Sequence, residues 1–75
     1  MTKTRPPYQQ RVLDEKGELY IRLGKLEIFI GSLQFDSLPE AEQERMRKQQ
    51  GIMQQYLSIL DERIEAFSTP NETSA

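Results

Sequence analysis

With 75 residues, no cysteine and no histidine, the chain has room for one domain but lacks both disulfides and the usual transition-metal ligands, two common reinforcements of so small a core. Oligomerisation is the reinforcement that remains. The formal net charge of -2 argues against coating a nucleic-acid duplex, which requires a basic face, and leaves room for a small anionic ligand held by a few local cations.

No apolar run approaches the roughly 20 residues of a membrane span, and the polar residues 1–7 lack the apolar stretch of a signal peptide. The protein is therefore expected to stay inside the cell that makes it. Residues 1–5 read as a disordered arm, 6–67 as a single helical domain and 68–75, STPNETSA, as a disordered tail.

The spacing predicts a first helix over about 6–30, capped by Thr4, with Pro6 and Pro7 in the first turn where a missing N–H costs least. Val12, Leu19, Leu23, Leu26 and Ile30 follow heptad spacing once Lys16 is admitted to the series, the mark of a helix packed lengthwise on another. Lys16 itself fits a boundary of the seam, a register-setting polar contact, a ligand contact or a stem snorkelling to solvent. A second file, Leu13, Gly17, Tyr20 and Gly24, lies about 100° round the helix. Its glycines each cost about 1 kcal/mol relative to Ala, and they open a trough for another backbone or a flat ligand unless they are tolerated drift. Gly31 fits the helix C-cap. The third file, Arg11, Glu15, Glu18, Arg22 and Lys25, predicts a solvated salt ladder with i,i+4 pairs Arg11–Glu15 and Glu18–Arg22. Lys25 has Ile21 rather than an acid one turn before it, and is the least explained cation.

Residues 31–38, GSLQFDSL, form the reversal, in which a short helical turn brings Leu33 and Phe35 to plug the open end. Ser37 and Glu40 have the spacing of a capping box, and Glu40, Glu42 and Glu44 suit the positive end of a second helix over about 39–67. The seam of that helix is Met46, Gln50, Met53, Leu57, Leu60, Ile64 and Phe67. A neighbouring file, Gln49, Ile52, Tyr56, Ile59 and Arg63, widens the apolar surface beyond what one partner helix covers. The expected fold is all-α: an antiparallel helical hairpin with a short helical turn between two long helices, assembled into a homo-oligomeric helical bundle.

The chain carries little that supports catalysis. Without His or Cys, a glycine-rich phosphate loop or a base beside any serine, the common nucleophilic constellations cannot be built. Asp61 and Glu62 are most simply solvated. Carboxylate di-metal centres usually pair Glu with His, so no metal and no cofactor is expected. Tyr8, exposed by the seam pattern near the helix start, fits stacking on a nucleobase or packing against the end of the other helix. Arg63, in an otherwise apolar file, fits an ion pair with a neighbouring protomer or a phosphate held where protomers meet.

The segments PYQQRVLDEKGEL, LPEAEQERMRKQ and YLSILDERIEAF, in this order with a short loop after the first helix, resemble the small phage-encoded anti-CBASS proteins that sponge cyclic-oligonucleotide messengers, with their prophage and crAss-like phage relatives. The likeness covers about residues 6–67. It implies a non-catalytic helical protein, in the cytoplasm of an infected bacterial host, that assembles into a hexamer and binds cyclic dinucleotides between paired protomers. In such proteins a tyrosine of the first helix stacks on a base and a basic residue further along meets a phosphate. By resemblance these are Tyr8 and Lys25, with Arg22 as the substitute in a shifted register. Some members take cyclic trinucleotides at a separate site through an arginine near the end of the last helix, a role that Arg63 matches. An adaptor hairpin docking a protein partner is the alternative from the residues alone.

Overall fold

The computed structural model describes residues 6–67. The expected arm, the tail and the Thr4 cap lie outside the described residues. Three helices follow in chain order: α1 (Pro7–Ile30), α2 (Leu33–Asp36) and α3 (Glu40–Ala66). The described residues contain no strand, so the fold is an all-helical hairpin whose long arms, α1 and α3, are joined through the single turn of α2.

Both long helices start in the same way. Pro6 and Pro39 occupy the N-cap positions with extended ψ of 144° and 146°, and neither start has a side-chain cap. Their carbonyls take the first helical N–H groups, Gln9 and Gln10 on Pro6, Glu42 and Gln43 on Pro39. A proline fits because the N–H it lacks belongs to a part of the helix that has no internal acceptor. Glu40 and Glu42 then sit in the first turn of α3, where a negative charge opposes the helix dipole.

The capping box expected from Ser37 and Glu40 does not form. The Ser37 hydroxyl instead donates back to the Gln34 carbonyl at 2.8 Å, closing α2, while Ser32 opens α2 by accepting from the Phe35 N–H at 3.3 Å. Gln43 completes the corner by donating its side-chain amide to the carbonyls of Asp36 and Leu38. Gly31 is the C-cap residue of α1, but at φ -84° it needs no glycine-specific conformation.

The seam is the one that the heptad spacing predicts. Val12, Leu19 and Leu60 form its buried centre, with Met53, Leu57, Ile64 and Phe67 packed around them. Leu23 is also buried. At the closed end Phe35 is 1% exposed, its ring edge-on to Phe29 with 6.3 Å between centroids and the Arg47 guanidinium 5.0 Å from its centroid. Leu33 does not join it. That side chain is 86% exposed, because one turn of helix can aim Phe35 inward only by turning the residue two places earlier outward.

The polar interruptions of the seam are paired. Lys16 forms an ion pair with Asp61 at 2.6 Å, and Glu27 accepts from the side-chain amides of Gln50 at 3.3 Å and Gln54 at 3.0 Å. Lys16 is thus a polar contact between the helices, and Asp61 is engaged rather than free in solvent. Both contacts set the register of α1 against α3, since a shift by one turn breaks them together. Their energy is small, with the Lys16 and Asp61 side chains 39% and 53% exposed. A Lys16→Ala, Asp61→Ala double-mutant cycle in urea is expected to give a coupling below about 1 kcal/mol, decreasing with added salt.

Candidate functional site

Antiparallel packing sorts the surface into two flanks. Lys16–Asp61 and Glu27 with its two glutamines mark one flank, and Tyr8 against Phe67 marks the other. At about 100° per residue, the charged file of α1 (Arg11 to Lys25) and the file of α3 containing Ile52, Tyr56, Ile59 and Arg63 share the Tyr8 flank. Gly17 and Gly24 turn toward the opposite flank.

Of the two roles its position suggests, Tyr8 takes the packing one against the end of α3. Its ring meets the Phe67 ring edge-on, 6.0 Å between centroids at 88°, while 48% of the residue stays exposed. One edge is thus braced by the last turn of α3, and the rest of the ring is free to take a stacked partner. Phe67 could be foreseen as a seam residue, but its bracing of Tyr8 depends on how far α3 returns along α1, which the heptads alone do not set.

Tyr8 and Arg63 lie at the same end of the hairpin. Arg63 is one turn before Phe67 on α3, and Arg11 is one turn after Tyr8 on α1. Lys25 is distant from them. Seventeen residues of continuous α1 separate it from Tyr8, about 25 Å along the axis, and Arg22 is about 21 Å away. One protomer therefore cannot bring Tyr8 and Lys25 to one small ligand.

The cations of this flank are unengaged within the protomer. Among the described residues Arg11, Arg22, Lys25 and Arg63 take part in no ion pair, nor do Glu15 and Glu18. The expected i,i+4 ladder is thus not formed. Such pairs are worth only a few tenths of a kcal/mol in solvent, too little to hold long side chains in one geometry. The glycine trough is also open. A Cβ added at Gly17 or Gly24 meets nothing within 4 Å, so α3 does not use the close approach that the glycines allow.

Residues 6–66 match the family described as Sequestin. The chain belongs to the Sequestin family. The match spans α1, α2 and α3 and contains Tyr8, Arg22, Lys25 and Arg63. The name Sequestin denotes sequestering, in agreement with the likeness to phage anti-CBASS sponges. No curated protein and no solved structure matches the chain. Among the described residues no group of carboxylates is placed to hold a metal ion, and no helix is long and apolar enough to cross a membrane.

Proposed function

We propose that this protein is a non-catalytic sponge for cyclic oligonucleotide messengers of bacterial anti-phage immunity, acting as a homo-oligomer in the host cytoplasm. The observation that carries this is the division of the candidate residues: a braced, half-exposed Tyr8 at one end of α1 and an unpaired Lys25 about 25 Å away. Two antiparallel protomers place the tyrosine of one beside the lysine of the other, twice over. Each of these two separate pairings offers one aromatic face and one cation to a ligand that carries both bases and phosphates. Tyr8 stacks on a base, Lys25 or Arg22 meets a phosphate, and closure between protomers excludes water so that each charge-assisted hydrogen bond counts for more.

Arg63 is assigned to a second site, for cyclic trinucleotides, where more than two protomers converge. A closed assembly larger than a dimer needs a second kind of interface, and two separate apolar surfaces support one. On α3 these are Ile52, Tyr56 and Ile59; on α1 they are Tyr20, Ile21 and Ile28, beside the open glycine trough. A hexamer is the proposed state.

An adaptor hairpin is the competing reading, favoured by the 86% exposed Leu33 at the closed end. Ultrafiltration separates these possibilities. A cyclic dinucleotide mixed with excess protein is expected to be retained, then recovered intact after the protein is denatured. Free passage through the filter contradicts sequestration, and recovery of linear products contradicts a binding role without chemistry.

A further inference from the structure

The exposed file of α3 on the Tyr8 flank divides into two edges. A step of four residues turns an α-helix by about 40°, and a step of seven by about 20° in the opposite sense. Tyr56 and Arg63 therefore share one edge, while Ile52 and Ile59 share another, about 40° further from the seam. Exposure follows that order. Tyr56 is 39% exposed against 64% for Ile52 and 53% for Ile59, so the outer edge is aliphatic and the inner edge, beside α1, carries a ring and a cation.

Neither group of the inner edge is spent within the protomer. Among the described residues Arg63 makes no ion pair, and the file from Gln49 to Arg63 holds no acidic side chain. Tyr56 has no aromatic partner, whereas Tyr8 is braced by Phe67 and Phe29 meets Phe35. Tyr56 and Arg63 stand seven residues apart, about 10.5 Å along α3, with Ile59 between their levels. The order cation, aliphatic side chain, aromatic ring repeats the order phosphate, sugar, base of a nucleotide. A guanidinium takes a phosphate through paired N–H donors, and an exposed tyrosine face takes a base by stacking.

We propose that Tyr56 is the base-stacking residue of the Arg63 site, so that each protomer there holds one whole nucleotide of a cyclic trinucleotide, its phosphate on Arg63 and its base on Tyr56. This rests on the assignment of Arg63 to cyclic trinucleotides and names what selects them. Converging arginines alone would meet any small polyanion, and the rings add an interaction that only a base can make. Three protomers offer three rings, of which a cyclic dinucleotide fills two. Ile52 and Ile59, on the outer edge, stay available for contact with a neighbouring protomer.

The sequence has no tryptophan, so Tyr56→Trp places a single fluorescent reporter in the site. Its emission is expected to be quenched saturably by cyclic triadenylate and unchanged by cyclic diadenylate. Calorimetry supplies the affinities. Tyr56→Leu keeps an apolar side chain without a ring, and is expected to weaken cyclic triadenylate binding about 5- to 150-fold while leaving cyclic diadenylate binding unchanged. Tyr56→Phe is expected to bind both as the parent does. Sedimentation and circular dichroism are expected to give every variant the parent's mass and helical signal. An unquenched tryptophan, or Tyr56→Leu at parental affinity while Arg63→Ala loses cyclic triadenylate, overturns the role of Tyr56 and leaves the Arg63 site standing. A reduced mass for Tyr56→Leu places the ring between protomers and also overturns it. A parent that binds no cyclic triadenylate, or binds it equally well as Arg63→Ala, removes the assignment of Arg63 and the proposal with it.

Discussion

Replacing Tyr8 by Ala is expected to weaken binding of a cyclic dinucleotide by about 5- to 150-fold, the loss of one base–aromatic stack of about 1–3 kcal/mol. Tyr8→Phe is expected to keep most of the affinity, because the stack uses the ring face and not the hydroxyl. The brace behind the ring adds a second measurable effect. Phe67 meets Tyr8 edge-on at 6.0 Å, so Phe67→Ala leaves the stacking ring in place but frees its orientation, and a smaller loss of affinity follows. Either variant also removes an aromatic pair worth about 0.5–1.5 kcal/mol of stability. Thermal melts must accompany the calorimetry, so that lost affinity is read on folded protein. An affinity unchanged by Tyr8→Ala removes Tyr8 from the site.

The largest effect on folding is expected at Phe35. With 1% of the residue exposed, an edge-on contact to Phe29 and the Arg47 guanidinium over its face, Phe35→Ala leaves a cavity at the only covalent link between α1 and α3. The typical cost is about 3–5 kcal/mol. A chain this short starts near the lower end of the usual 5–15 kcal/mol of stability, so the variant is expected to be largely unfolded at low protein concentration. Assembly offsets part of that loss by mass action, making the urea midpoint of the variant rise with concentration. Leu33→Ala, two residues away but 86% exposed, is expected to change stability by less than about 0.5 kcal/mol. Similar losses for both would mean that Leu33 is covered in the assembled protein.

The hairpin was legible in the sequence because one strong signal, two heptad seams joined by a short polar segment, dominates every weaker one. Val12, Leu19, Leu23 and Leu60 are buried as their spacing requires. The corner was less legible because several local bonds compete there. Ser37 has the spacing of an N-cap, yet its hydroxyl and its N–H both donate to the Gln34 carbonyl at the end of α2, and the proline at position 39 takes the N-cap position of α3. Leu33 and Phe35 are both apolar, and a single turn can bury only one of them.

The candidate site divides in the same way. Lys16 in a seam position leaves several roles open and Asp61 reads as solvated, because spacing within one helix does not say which residue of α3 faces Lys16; the ion pair between them decides for the polar contact. The separation of Tyr8 from Lys25 follows from one uninterrupted helix. The state of the charged file does not follow from spacing, since i,i+4 placement permits pairs that side-chain entropy then declines.

The sponge assignment is tested most directly by titration calorimetry of the full chain against a panel of cyclic di- and trinucleotides. At least one cyclic dinucleotide is expected to bind saturably, with an affinity reduced by Tyr8→Ala and Lys25→Ala. Arg63→Ala is expected to act mainly on a cyclic trinucleotide. No heat and no thermal shift with any member of the panel at micromolar protein would contradict it.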